Sequence, residues 1–382
     1  MILNVDVQPK AVQTLNSLQC LRGIAAVLVV LAHSGVTFQQ RYHTWVFPAF
    51  VHGGVVGVDI FFCLSGFIMY YTTAADFGVP RAWFGFLCRR VFRIYPVYWV
   101  ATAIALLIGW WVPHVRSPHP LSATYLLRSL ALLPGNDSPV VWQGWTLVHE
   151  MRFYATFAVL LCLPRRPAFW GMGGWSLGSA VVLGLSYFAP TVLNDSLMAR
   201  AANYFFHPAS LEFVLGWVAA WIVRHRATAR WLDPAALALG VISTGILMEF
   251  SSSLAGFTKY WTVTLFMLPS FSLILGAALS ERRFAPRLPA LGVSLGEASY
   301  SIYLSHVLVL ELMVHFLPAA LDPAWLPWLG WLVALGTVVA GWLFYLVVER
   351  PLLRRSRGWA AWLTGATRSR STPASGAPAG SA

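Results

Sequence analysis

A chain of 382 residues that is 58% hydrophobic and only 10% charged, with a mean hydropathy of +0.65, cannot cover a water-facing surface, for which a soluble domain carries about 25% charged residues. Its formal charge of +12 raises nucleic acid as a partner, but the basic residues sit in short loops between apolar runs, which excludes that class. The four cysteines, Cys20, Cys63, Cys88 and Cys162, make no CxxC pair, so neither a metal site nor a disulfide framework is indicated, and they read as small packing residues.

Apolar runs of about 17–25 residues have the length that crosses a hydrocarbon core about 30 Å thick. Ten are expected, making the fold class an all-α, polytopic integral membrane protein: Leu18–Phe38, Gly54–Thr73, Tyr95–Val112, Trp142–Leu163, Phe169–Ala189, Tyr204–Val223, Ala235–Phe250, Tyr260–Ser280, Val293–Phe316 and Trp325–Val348. The first run is longer than a secretory h-region and lacks a small-residue cleavage site, so it counts as a span. Residues 1–17 form an N-terminal segment, 18–355 the membrane domain and 356–382 a tail, rich in Ser, Pro, Ala and Gly from Thr364 onward and expected to be disordered. The longest outer loop, Pro113 to Val141, has room for a small cap. Trp110, Trp111, Trp142 and Trp145 at outer span ends suit an aromatic belt.

With the N-terminus in the cytosol, Lys10, Arg22, Arg81, Arg89, Arg90, Arg165, Arg166, Arg224, Arg226, Arg230, Arg282, Arg283, Arg287 and the Arg350–Arg357 cluster fall on one side. The other side receives Arg41, Arg116, Arg128, Arg200 and Lys259. Positive residues favour the cytosolic side, so both termini are predicted there.

Ionisable groups at membrane depth are costly and point to function. In the first span Arg22 and His33 lie eleven residues apart, which at about 100° and 1.5 Å per residue puts them on one face, roughly 16 Å apart. Asp59 enters from the outer end of the second span as His33 does from the first, and Glu150 enters with the fourth, carrying Tyr154 one turn below. These three levels predict that His33, Asp59 and Glu150 meet. Ser299, Tyr303 and His306 form a polar stripe on the ninth span. Arg89, Arg90 and Arg93 stand at the entry to the third, where arginines either snorkel to the interface or clamp phosphate bidentately. Alone, His33 and His306 also read as histidines hydrogen-bonded between helices, and Asp59 as a packing ion pair.

As strings, these residues resemble the acyltransferase-3 family of membrane O-acyltransferases. LRGIAAVLVVLAH is similar to its Arg-x10-His signature at Arg22 and His33. GVDIFFCLSGFIM resembles its GVDxFFxxSGF block, with Asp59 and Ser65, and RRVFRIYPVYW its RxxR motif at Arg90 and Arg93. WTLVHEMRFY resembles WSLxxExxFY, with Glu150, Tyr154 and Thr146 in place of serine. SYSIYLSH ends at His306, and VERP at Glu349–Pro351 resembles the closing motif. HPASLEFVLG keeps the family's EFxxG portion at Glu212 and Gly216, but has His207 near a common arginine position.

The resemblance implies an acetyl-CoA donor in the cytosol, no permanently bound cofactor, and a hydroxyl acceptor on an extracytoplasmic or lipid-linked glycan, exopolysaccharide or lipopolysaccharide O-antigen, at a bacterial-type cytoplasmic (inner) membrane. Arg22, Arg90 and Arg93 would hold the CoA phosphates. His33 would act as general base or acyl carrier, supported by Asp59 or Glu150, with Ser65, Tyr154, Tyr303 and His306 in substrate-binding or supporting places. The competing class is a proton-coupled transporter with His33, Asp59 and Glu150 as its relay.

Overall fold

The computed structural model describes residues 14–112, 120–135, 137–193, 196–226, 228–254 and 260–363. The start of the expected cap loop, residues 113–119, and the tail from Thr364 lie outside them. Thirteen α-helices and no strand occur among the described residues: α1 Asn16–Tyr42, α2 Val56–Thr73, α3 Ala82–Trp111, α4 Ala123–Leu130, α5 Gly144–Leu161, α6 Arg165–Phe188, α7 Leu197–Phe205, α8 Ala209–His225, α9 Leu232–Leu254, α10 Trp261–Phe284, α11 Ala290–His315, α12 Leu326–Phe344 and α13 Arg350–Leu363. Large apolar side chains such as Leu107, Trp110, Leu177 and Leu335 point outward, as suits a lipid-facing surface.

Eight helical segments among the described residues are long and apolar enough to cross a membrane, not the expected ten. The other two expected spans fold as α5 and α11, of 18 and 26 residues. They fall short in apolarity because α5 carries His149, Glu150 and Arg152, and α11 carries Glu297, His306 and Glu311. The sixth expected span is broken at His207–Pro208, where α7 ends and α8 begins. A π-helical turn, Tyr345–Glu349, joins α12 to α13, so the helix continues past residue 355 to Leu363, into the stretch assigned to the tail. The third span starts at Ala82 rather than Tyr95 and runs through Pro96, which removes one backbone hydrogen bond without ending the helix. Arg89, Arg90 and Arg93 therefore lie inside α3, not at its entry.

Side chains tie alternate helix ends together. Glu281 at the end of α10 accepts from the backbone N–H groups of Asn16 and Ser17 at 2.8 and 2.7 Å, satisfying donors that the first turn of α1 leaves open. Arg283 pairs with Asp233 at 2.7 Å, Arg165 donates to the Ala74 carbonyl and Arg224 to that of Tyr71. These contacts gather the ends of α1, α2, α6, α8, α9 and α10 into one basic end of the bundle. At the opposite end Tyr42 donates to Pro318 and Tyr187 shares a hydrogen bond with Thr264.

Glycines set the closest crossings. A Cβ on Gly296 would lie 1.9 Å from the Gln19 carbonyl oxygen, so α11 rides on the backbone of α1. A Cβ on Gly57 would meet the Ala25 carbonyl at 2.2 Å, and Cβ atoms on Gly66 and Gly216 would meet the Phe213 and Cys63 carbonyls at 1.9 and 1.8 Å. Helix α2 is thus held between α1 on one side and α8 on the other.

Candidate active site

Helices α1, α2, α3, α5 and α11 enclose a narrow cavity of about 90 Å³. Seven of the expected site residues line it together: Arg22, Arg90, Arg93, Ser65, Glu150, Tyr154 and Tyr303. Arg90 and Arg93 share a face at i, i+3 and turn inward, whereas Arg89, about 100° around the helix, is exposed and does not line the cavity. Ser65 Oγ donates to Glu150 Oε1 at 3.3 Å, and the Tyr154 hydroxyl donates to the same oxygen. The Arg90 guanidinium lies 5.6 Å from the centre of the Tyr154 ring and 5.4 Å from that of Phe86. Thr146, at the family's serine position, shares a 3.0 Å hydrogen bond with the Tyr303 hydroxyl.

None of the three guanidiniums forms an ion pair with a carboxylate among the described residues; Arg22 reaches only the Gln19 side chain, at 3.5 Å. Glu150 in the wall and Glu349 close to Arg22 and Arg93 are two carboxylates against three guanidiniums, so the cavity carries excess positive charge. That arrangement suits an anionic ligand, and planar guanidinium forks suit phosphate.

His33 sits beside this cavity, not in its wall. Its ring centroid is 4.9 Å from that of His306 and 5.8 Å from that of Trp142. His33 Nδ1 lies 2.9 Å from the Val29 carbonyl oxygen; a carbonyl only accepts, so Nδ1 carries the proton and Nε2 keeps its lone pair. His306 repeats the arrangement with the Tyr303 carbonyl. It is fully buried, and its Nε2 has no hydrogen-bond partner among the described residues. The ring of Tyr303, 5.6 Å from that of His306, connects the imidazole pair to the arginine-lined cavity.

The expected meeting of His33, Asp59 and Glu150 does not occur. Counting residues from the outer ends gave their levels but not their angles. Gly57 turns toward α1, and Asp59, two residues on, points about 200° away from it, on the same stripe as Cys63 and Gly66 that packs against α8. There Asp59 lies within hydrogen-bonding reach of Glu212 and lines a different cavity. The carbonyl of Val29, not Asp59, sets the His33 tautomer. The transporter's three-member relay is likewise not assembled, since Asp59 stands apart in that second cavity.

Three residues of the site's frame were not singled out as site residues in the sequence. Arg152, buried in α5, donates to the Tyr204 carbonyl and, at 3.1 Å, to Ser210 Oγ, fixing α5 against α7 and α8; a charged residue in an apolar run was its signal. Glu212 shares its i, i+4 spacing with Gly216. Glu349 of the closing motif ends the π turn, a feature frequent at functional sites, and accepts from Ser301 Oγ at 2.6 Å.

The acyltransferase-3 family model, an acyltransferase domain, matches residues 15–347. The chain belongs to the acyltransferase-3 family. It is similar to the exopolysaccharide production protein ExoZ of Rhizobium meliloti (strain 1021), 32% identical over 327 residues covering 80% of this chain and 91% of that protein. It is also similar to the acyltransferase MdmB of Streptomyces mycarofaciens, 28% identical over 379 residues, 91% of this chain and 93% of that protein. Over 176 residues, 43% of this chain and 41% of the other, it is 31% identical to the putative membrane-bound transacylase BcsY of Komagataeibacter xylinus. No solved structure matches it. This acyltransferase-3 member is therefore a membrane enzyme that moves acyl groups other than aminoacyl groups, and the arginine-lined cavity with its neighbouring imidazole pair is its candidate active site.

Proposed function

We propose that the protein transfers an acetyl group from acetyl-CoA, entering at the basic end from the cytosol, to a hydroxyl of a polysaccharide or lipid-linked glycan at the opposite face, in a bacterial cytoplasmic membrane with both termini in the cytosol. One observation carries the donor side: Arg22, Arg90 and Arg93 converge on one cavity without ion-paired carboxylates. The CoA phosphates supply the missing negative charge. The cavity is narrow, so the nucleotide stays at its arginine-lined mouth and the extended pantetheine arm enters. The glycan acceptor is supported by the likeness to an exopolysaccharide production protein.

His33 acts as general base in this reading. Its Nε2 lone pair takes the proton of the acceptor hydroxyl while the oxygen attacks the thioester carbon. The carbon–sulfur bond breaks, the CoA thiolate takes the proton back from the imidazolium, and an ester and free CoA leave. The Val29 carbonyl holds the ring in the working tautomer, as an orienting group does in hydrolase triads. Glu150, held by Ser65 and Tyr154, balances part of the arginine charge beside the thioester.

Mass spectrometry of cell-surface glycans from strains with and without the gene tests the reading. The expected result is a loss of O-acetyl groups that returns with the wild-type gene and not with His33→Gln. Identical glycan acetylation with and without the gene overturns it.

A further inference from the structure

A second cavity, of about 600 Å³, lies on the far side of α2 from His33. Val58 and Phe62 belong to the walls of both cavities, so one helix separates them. The first two turns of α2, α5, α8 and α10 reach its wall through Asp59, His149, Glu212 and Thr262. Helices α8 and α10 run from here to the basic end, so the cavity belongs to the opposite face of the bundle.

Its chemistry is unlike that of the donor cavity. Asp59 and Glu212 are 3% and 0% exposed and lie within hydrogen-bonding reach of each other, with Thr262 beside Asp59; beyond these, Asp59 Oδ2 and both Glu212 oxygens have no hydrogen-bond partner among the described residues. The first turns of α2, α8 and α10 carry Asp59, Glu212 and Thr262, and helix N-termini favour negative charge there. Carboxyl groups this close share a proton, and their remaining oxygens supply acceptors for a ligand's donors. Trp145, Tyr204 and Tyr260 add aromatic walls. Buried carboxyl acceptors, the donors of Arg200 and Asn203 and the aromatic faces of one wall fit a molecule whose hydroxyl groups both donate and accept on one side and whose C–H groups lie on the other, which is a sugar ring. The aromatic path also leads to the reactive imidazole: Trp142, which touches His33, stands three residues before Trp145.

We propose that this cavity holds the non-reacting sugar units of the acceptor, Asp59 and Glu212 accepting hydrogen bonds from ring hydroxyls while the reacting unit extends past Trp142 to His33. The inference rests on the acyl-transfer reading and adds the acceptor's seat to it.

The test uses the full-length protein in nanodiscs with photoreactive diazirine derivatives of methyl glucoside, galactoside and mannoside, followed by peptide mass spectrometry. At least one sugar is expected to label saturably the peptides that contain Tyr204–Glu212 or Tyr260–Val263. In the Asp59→Asn, Glu212→Gln double variant that labelling should fall at least tenfold, with CoA binding retained as evidence of an intact bundle. Saturable labelling confined to α3 and the arginine-lined cavity, undiminished labelling in the folded double variant, or no saturable labelling by any of the three overturns the proposal. Should the double variant not fold, the location of the wild-type label decides alone. The two readings fail separately: a protein that consumes acetyl-CoA but is labelled elsewhere sinks only the acceptor cavity, whereas one that binds sugar here and never transfers an acyl group sinks the acyl-transfer reading.

Discussion

His33 meets His306 edge-on, with ring centroids 4.9 Å apart at an interplanar angle of 69°, and each ring gives its Nδ1 proton to a carbonyl of its own helix. Helix α1 therefore carries both the imidazole and its orienting group one turn apart, and no remote carboxylate is needed to set the tautomer. Only His33 of the two is partly exposed; His306 is sealed inside. An incoming hydroxyl thus reaches His33 first.

His33→Gln should lower acetyl transfer by about 10²–10⁴-fold, the usual contribution of a general base, while leaving CoA binding intact. Glutamine keeps hydrogen bonding but not basicity. His306→Gln should cost less, because its ring supports His33 without meeting the acceptor. Steady-state transfer by purified variants, alongside CoA binding, checks both. A larger loss in His306→Gln than in His33→Gln would exchange their roles, and an acetylated His33 peptide trapped without acceptor would make His33 the acyl carrier instead of the base.

Replacing both Arg90 and Arg93 with alanine should weaken CoA binding far more than binding of a pantetheine thioester, which lacks the nucleotide phosphates. Charge-assisted hydrogen bonds contribute about 1.5–3 kcal/mol each, so a single lost contact is worth roughly tenfold or more in affinity. Calorimetric titration of the two ligands separates the outcomes. Equal loss for both would mean that the pair holds the fold, not phosphate. Arg89→Ala, altering an exposed neighbour outside the cavity, should behave as wild type.

Apolar run lengths revealed the helical spans because lipid imposes length and apolarity directly on the chain. The spacing of Arg90 and Arg93 likewise gave their shared face, and that of Glu150 and Tyr154 their placement one turn apart, where the hydroxyl donates to the carboxylate. Asp59 shows what run length leaves out. Its level in the second span was legible, but its direction depends on which side of the span carries the glycines that press against α1 and α8: Gly54 and Gly57 meet α1, whereas Gly66 meets α8. Glu212 was hidden for the same reason, since its partner lies on another helix. The break at His207–Pro208 and the π turn before Arg350 depend on tertiary packing, which a hydropathy pattern averages away.

Orientation makes a further test. Reporter fusions truncated after Arg230 and Arg287 should read cytosolic, and one placed after Leu121, before α4, extracytoplasmic. Arg230 and Arg287 flank helix ends tied to the basic end through Asp233, Arg283 and Glu281. A cytosolic signal after Leu121 would reverse the assignment of donor and acceptor faces, while leaving the helix packing unchanged.

The crossing of α2 and α8 sets the last prediction. A methyl group on Gly216 would sit 1.8 Å from the Cys63 carbonyl oxygen, and that atom is backbone, so it yields only if the whole of α2 shifts. Overpacking a close crossing costs about 1–3 kcal/mol or more, exceeding the roughly 1 kcal/mol that alanine gains over glycine in a helix. Gly216→Ala should therefore lower the thermal midpoint in detergent. Opening this crossing should also draw Glu212 away from Asp59, four residues along each helix from the contact, and so weaken sugar labelling together with stability. Gly184→Ala, in open space on α6, should keep or raise the midpoint, which separates packing from any general intolerance of alanine. If Gly216→Ala melted with the wild type, α2 and α8 would not cross at these glycines, and the placement of Asp59 beside Glu212 would lose its basis.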